Sequence, residues 1–444
     1  MTDARHESVA GRQSCFSTHS TIHFMKFNFR NFIAILLLGA GIASATAEQR
    51  YVGGDISLLP DYEAAGVKYR DQSGKLIPDL LPWLKEQGMN AMRMRLFVDP
   101  SAYTGSDRDP NARQSLEYIT PLCRRIKEAG LDLMLDFHYS DTWADPARQW
   151  TPKAWENLSD EELYAKIYEY TKESLQHLVE AGATPDFIQP GNEISYGMLW
   201  GKNTDPESSL KKTFIGKSAN WDRFGKLLRQ AIKACREVCP AAKIVIHTER
   251  VAQHAVLASF YDKMKSLGVE YDIIGLSYYP YFHGNMDVLG KALAELEKKF
   301  AGKEIMVVET GYPYKWEVPG TTHDVTKDYP YTEAGQEKYV ADLVKTLHEY
   351  PDVDGLFWWW LEYNAYGGGL SNWYNAPLFD SETGKATTAL TTLCTFVTDT
   401  GNVGTLLPDS TQEAGAQWFD LNGHPIKTPT TKGIYIRNRK KIAL

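Results

Sequence analysis

Apolar and polar positions along this chain alternate between two textures from about residue 51 to 400. Short, nearly continuous apolar runs come first: YVGGDIS, NAMRMRLFV, LDLMLDFHY, PDFIQPGNE, AKIVIHTE, YDIIGLSYY, EIMVVET and VDGLFWWW. Between them lie longer stretches with apolar residues at helical spacing, such as SLEYITPLCRRIKEAG, SDEELYAKIYEYTKESLQHLVEAG and WDRFGKLLRQAIKACREV. A run that is apolar on both faces reads as a strand covered on both faces. Strands of that kind alternating with amphipathic helices predict a parallel sheet. Several helical stretches close on a glycine (Gly88, Gly130, Gly182, Gly268), the residue that accepts a left-handed C-terminal cap. Eight such units in one chain of this size predict an α/β fold, a (β/α)8 TIM barrel over residues 48–400. A doubly wound open sheet is the other α/β solution. It calls for a G-x-G-x-x-G turn after the first strand, and GGDIS lacks that spacing.

The two ends break the alternation. From Met25 the chain reads MKFNFRNFIAILLLGAGIASATAEQR: basic residues, an apolar core, then small residues with Ala45-Thr46-Ala47 as the expected cleavage site. That is the pattern of a secretory signal, its apolar core too short to span a bilayer. Residues 1–47 are therefore expected to be an N-terminal extension and signal peptide, with Met25 as the start. The protein is expected to be exported, to the periplasm, the cell surface or the medium. At the other end, residues 401–415 read as a linker rich in Gly, Pro, Ser and Thr, and 416–444 as a short β-hairpin-like tail. The tail, with QWFDLNGHPIK and KGIYIRNRKKIAL, resembles the C-terminal sorting tails of proteins exported by type IX secretion.

A formal charge of −8 argues against nucleic acid as the main partner. Of the five cysteines, Cys15 falls in the N-terminal extension. The others, Cys123, Cys235, Cys239 and Cys394, form no zinc-type pattern and are expected to be buried free thiols. Twelve Trp and twenty-five Tyr suit a large core, and their flat faces also suit sugar rings.

In barrels of this class the strands' C-terminal ends converge on one mouth, so the residues that end each run spell out the site. Here they are Asp55, Arg95, His138, Asn192 with Glu193, His247 with Glu249, Tyr278 with Tyr279, Glu309 and Trp359. Two glutamates, each closing an apolar strand, stand out. Glycoside hydrolysis needs one carboxyl to protonate the leaving oxygen and another, ionised, to attack the anomeric carbon. Partial burial would raise Glu193, while Arg95, His138 and Tyr278 would supply donors that keep Glu309 ionised. Asn192 could donate to a sugar 2-hydroxyl. Trp143 and Trp200 are the expected stacking platforms, and no role is evident for His247 or Glu249.

The segments GGDISLLPDYEAAGVKYRDQSGK, MRMRLFVDP, LDFHYSDTWADPARQ, PDFIQPGNEISYGMLW, DIIGLSYYPYFHG, MVVETGYPY and GLFWWW resemble glycoside hydrolase family 53, the arabinogalactan endo-β-1,4-galactanases. The resemblance implies a retaining (β/α)8 enzyme with Glu193 as acid/base and Glu309 as nucleophile. It carries substrate contacts onto Asp55, Arg95, His138, Asn192, Tyr279, His283 and Trp359, with Tyr278 and Trp143 added from their places at the mouth. No cofactor is implied, although some relatives hold a structural calcium ion. The corresponding loop offers His323, Asp324 and Asp328. The expected partner is a polysaccharide, β-1,4-galactan, with no nucleic acid, no membrane span in the mature chain and no second subunit. Two readings compete: a retaining endo-glycanase acting on another β-1,4-glycan, and a glycan-binding relative without activity.

Overall fold

The computed structural model describes residues 49–104, 109–203, 211–214, 220–315, 317–362 and 376–398, with four short strands between 418 and 443. The signal segment and the linker fall outside the described residues. Eight parallel strands close into a barrel: β1 (Tyr51–Asp55), β2 (Ala91–Leu96), β3 (Asp132–Phe137), β4 (Phe187–Pro190), β5 (Lys243–Thr248), β6 (Ile273–Tyr278), β7 (Glu304–Thr310) and β8 (Val353–Trp358). Each strand pairs with the next in sequence, and β8 returns to β1 with Gly53 beside Phe357. The tail forms a separate antiparallel sheet of β9 (Trp418–Phe419), β10 (Pro425–Ile426), β11 (Ile434–Arg437) and β12 (Lys440–Ala443), in the order β10-β9-β11-β12. That is two strands more than a hairpin.

Helices cover the barrel because each presents one apolar stripe to it. Leu116–Glu128 buries Ile119, Leu122, Cys123 and Ile126, a 3–4 spacing, and starts on Ser115, whose hydroxyl accepts from Tyr118 N. Asp160–Glu180 opens with a full capping box between Ser159 and Glu162. The four glycines expected as helix stops all take positive φ, from 64° at Gly268 to 112° at Gly88. Cys123, Cys235, Cys239 and Cys394 are buried and free. Among the described residues, no helix is long and apolar enough to cross a membrane.

Inside the barrel the side chains change character with height. Near the strands' N-terminal ends Ala91, Met134, Phe187, Val245, Ile273 and Met306 pack into an apolar floor. Gly355 makes room for it, since a Cβ there would come within 2.4 Å of Met306 Cγ. Two residues further along the same strands, the inward positions become Arg93, Asp136, Gln189 and His247, all without exposed surface. The site stands on this second layer.

Candidate active site

Arg93 is the hub of the polar layer. Its Nη2 lies 2.8 Å from Asp136 Oδ2, 3.0 Å from Glu309 Oε1 and 2.9 Å from Asn192 Oδ1, while Nη1 is 3.6 Å from Asp55 Oδ2. Burial works against its charge, but Asp136, Glu309 and Asp55 outweigh it and raise the guanidinium's pKa. The same pairing runs the other way for Asp136. Burial would raise that carboxyl, and Arg93 and His138 hold it below the usual range.

Glu309 owes its direction to a slip in the sheet. Ile305 and Val307 pack outward with the helices, and Met306 and Val308 pack inward, so strict alternation would send Glu309 outward. Instead Val307 pairs with Leu276 while Glu309 pairs with Ser277. Val308 is the extra residue of a bulge, which turns Glu309 into the barrel mouth. Tyr279 donates its hydroxyl to Oε2 at 3.2 Å, and Ser277 Oγ stands 3.5 Å from the same oxygen. Burial pushes Glu309 up to about 7, with Arg93 opposing.

Glu193 sits in the left-handed region, with φ 48° and ψ 51°. A residue with a Cβ rarely adopts it, and such residues cluster where side chains must be aimed. Gly191 and Asn192 lead into this turn, and the Glu193 N–H donates to His247 Nδ1 at 3.3 Å. Burial, then Glu309, then Glu249 raise the Glu193 carboxyl well above its usual value. Arg93, 3.0 Å from Oε1, favours the ionised form of Glu309, and a carboxylate there favours the protonated form of Glu193. Carboxyl oxygens of the two residues, together with a His247 nitrogen, lie within 4.8 Å of one another. A histidine and two glutamates could ligate a metal, but Arg93 already supplies the countercharge that a cation would bring. The cleft above the pair has a volume of about 520 Å³ and is walled by Trp143, Trp359, Trp360, Tyr279, Phe282 and His283.

A buried arginine–carboxylate layer beneath two close glutamates and aromatic walls suits a sugar hydrolase, and the comparisons agree. Residues 51–393 match the model of glycosyl hydrolase family 53. The chain belongs to glycosyl hydrolase family 53. It is a glycoside hydrolase. An arabinogalactan endo-beta-1,4-galactanase of Humicola insolens is 32% identical over 319 residues, covering 70% of this chain and 89% of that one. An uncharacterized protein of Niallia circulans is 39% identical over 345 residues, covering 74% and 89%. Among solved structures, the family 53 catalytic domain of Ignisphaera aggregans superposes with a TM-score of 0.68 at 34% identity, covering 78% of this chain and 95% of that one.

Against this family 53 frame, the residues named from sequence divide into three groups. Glu193, Glu309, Asn192, Tyr279, His283, Trp143 and Trp359 line the cleft. Asn192 also donates Nδ2 to Ala144 O at 2.8 Å, which leaves one amide hydrogen for a ligand. Asp55, Arg95 and His138 lie beneath it. Arg95 has no exposed surface and is enclosed by Trp143, Trp359 and Trp360 at 4.9, 4.8 and 5.3 Å, with Asp55 Oδ1 at 2.8 Å from Nη1. His138 faces Asp136 rather than Glu309, with Nε2 3.1 Å from Oδ2. Tyr278 turns away altogether and donates to Gly284 O at 2.8 Å, because neighbouring residues of a strand point to opposite faces. The donors to Glu309 are thus Arg93, Tyr279 and, at 3.5 Å, Ser277, where the sequence pointed to Arg95, His138 and Tyr278. Trp200 is core, fully buried with its Nε1 on Tyr196 O, and is not a platform.

His323, Asp324 and Asp328 are exposed, and among the described residues they bring no ligand atoms together. Asp324 accepts from Thr326 N and Oγ1 at 3.0 and 2.6 Å within its own turn. Arg93 is the residue that sequence reasoning missed. Its signal was available: in NAMRMRLFV it shares the inward face with Ala91 and Arg95.

Proposed function

We propose that this enzyme is a retaining endo-β-1,4-galactanase that cuts internal bonds of the galactan and arabinogalactan side chains of pectin. The observation that carries the reaction is the pair of carboxyls, Glu309 buried and Glu193 half-buried, with oxygens within 4.8 Å of each other and Glu309 Oε1 3.0 Å from the Arg93 guanidinium. Retaining glycosidases hold their two carboxyl groups roughly 5–5.5 Å apart and inverting ones several ångströms further, to admit a water. In the first step Glu309 attacks the anomeric carbon as Glu193 gives its proton to the departing glycosidic oxygen, leaving a glycosyl ester on Glu309. In the second, Glu193 takes a proton from a water that attacks the same carbon, and Glu309 leaves as carboxylate. Arg93 and Tyr279 stabilise the carboxylate in both resting states, and Asn192 donates to the sugar.

Support for galactan over other glycans is the family and the names of its relatives. The axial O4 of galactose bends the chain at each residue, and tryptophan rings set at angles suit a bent chain: Trp143 meets Trp359 at 65° and Trp359 meets Trp360 at 84°. The signal-like stretch from Met25 to Ala47 supports export. The test is a panel of polysaccharides with products sized and the first-formed anomer read by proton NMR. Galactan should be cut to short oligosaccharides with retained configuration, and xylan and mannan at least about a hundredfold more slowly. Comparable kcat/KM on xylan or mannan would overturn the galactan assignment, and an inverted first product would overturn the two-step reaction.

A further inference from the structure

His247 takes no covalent part in this reaction, yet it touches both halves of it. It stands on β5 with no exposed surface, and its two ring nitrogens face different partners. Nδ1 lies 3.3 Å from the backbone nitrogen of Glu193, and Nε2 lies 2.8 Å from Ser277 Oγ. Ser277, equally buried, is 3.5 Å from Glu309 Oε2. Ring and hydroxyl form a bridge from one glutamate to the other.

The direction of the bridge follows from the donors that have no choice. A backbone N–H can only donate, so Glu193 requires Nδ1 to accept. That puts the ring proton on Nε2, where it is donated to Ser277 Oγ. The hydroxyl's own hydrogen is then free for a carboxylate, and Glu309 Oε2 at 3.5 Å is its acceptor. The opposite tautomer reverses every step. Nδ1–H would turn to Asn192 Oδ1, 3.1 Å away, which Arg93 already serves at 2.9 Å. Glu193 N–H would lose its acceptor, and Ser277 would give its hydrogen to Nε2 instead of to a glutamate. A doubly protonated ring fails at Nδ1 for the same reason. Burial and Arg93 hold the ring well below the usual histidine range, with Asp136 opposing and His138 adding to the effect.

We propose that His247 and Ser277 are positioning residues for the reaction: the ring pins Glu193 in its left-handed conformation and aims the Ser277 hydroxyl at the carboxylate pair. This rests on the two-glutamate reading above. Left-handed backbone at a non-glycine residue persists only where its surroundings hold it, and the ring nitrogen is what holds this N–H.

Removing the serine hydroxyl is the direct test. Glu309 faces Asp55 on β1, Arg93 on β2, Asp136 on β3, Glu193 beyond β4 and Tyr279 after β6, all of which Ser277→Ala leaves in place. That variant should lose roughly 10- to 100-fold in kcat on unbranched galactan, the scale of one hydrogen bond to a charged group, with KM within about twofold. The acid limb of kcat/KM should move up by about one pH unit, because a carboxylate that loses a donor binds its proton more tightly. Adding His247→Ala should cost little more than the larger single loss, since both act through one bridge. In histidine-labelled protein at about pH 6, 15N NMR should find the His247 ring neutral and protonated on Nε2. Wild-type kcat with an unmoved acid limb in Ser277→Ala, losses that multiply, or a ring protonated on Nδ1 would each overturn the proposal. Wild-type protein that cuts no polysaccharide would remove the two-glutamate reading instead, and the tautomer alone would then decide the bridge.

Discussion

The floor of the barrel and the layer above it are built on the same strands, two residues apart, and obey opposite rules. From Ala91 to Arg93, from Met134 to Asp136, from Phe187 to Gln189 and from Val245 to His247, each step up exchanges packing for charge or hydrogen bonding. Dispersion and apolar burial have no direction, so the floor asks only for volume and shape. Buried ions are different. Desolvation costs each of them several kcal/mol, and only well-placed partners offset it. A chain seeking stability alone would extend the floor upward. The polar layer marks where stability is set aside for chemistry, as local rules are usually broken at functional sites.

The comparison breaks most visibly at its upper edge. Glu309→Ala should lower kcat by about 10⁴-fold or more, and azide should restore part of it with a product of inverted configuration. Glu193→Ala should still turn over substrates with good leaving groups, for which proton donation matters least. Azide rescue of Glu193→Ala with inversion, and none of Glu309→Ala, would reverse the two roles. One layer down, Arg93→Met should cost about 3–5 kcal/mol in chemical denaturation and nearly all activity, because it removes the cation that Asp136 and Glu309 share and leaves Asp55 to Arg95 alone.

In the floor, Phe187→Ala should destabilise by a similar 3–5 kcal/mol through its cavity, yet leave kcat within about threefold well below the melting temperature. Met306→Leu should cost less than about 1.5 kcal/mol. If the floor variants lowered kcat as Arg93→Met does, the two layers would not be separable. The pH–rate profile sharpens the contrast further. The proposed reaction uses Glu309 ionised and Glu193 protonated, so kcat/KM should rise with pH through a limb displaced upward toward about 7 and fall only well above it.

A purely pH-dependent effect belongs to the strands' N-terminal ends, where one carboxyl escapes the floor's rule. Asp354 is buried, with Oδ1 unpartnered by hydrogen bonds, and burial, then Glu304, push it up to about 8. Between the unfolded value of about 4 and that limit, the folded state holds a proton that the unfolded chain has released. Stability therefore falls as pH rises across this window. Asp354→Asn cannot ionise, so its melting temperature should match wild type in acid and exceed it increasingly up to about pH 8. A constant gap at all pH values would mean that Asp354 is charged throughout.

The barrel was legible because its signal is repeated: eight apolar runs, amphipathic helices and glycine stops each carry the same period. Glu193 and Glu309 were legible as residues that end strands. Their surroundings were less so, for three physical reasons. Tyr278 and Tyr279 are adjacent, and sequence alone does not say which one a strand points inward. The bulge at Val308 shifts the register by one residue without any glycine or proline to announce it. Arg93 hid inside a strand, where a buried cation reads as an interruption of the apolar pattern until its three carboxylate partners are known.

Arg93 and Arg95 together place two positive charges beneath the cleft, against three carboxylates at Asp55, Asp136 and ionised Glu309. Among these five groups the balance is one negative charge. As a glycosidic bond stretches, the sugar becomes an oxocarbenium ion, positive at the anomeric carbon and ring oxygen. An excess electron charge fixed in a water-poor pocket favours that cation over the neutral substrate and needs no rearrangement to do so. The arginines hold the acids ionised and leave one charge uncancelled, for the transition state to meet.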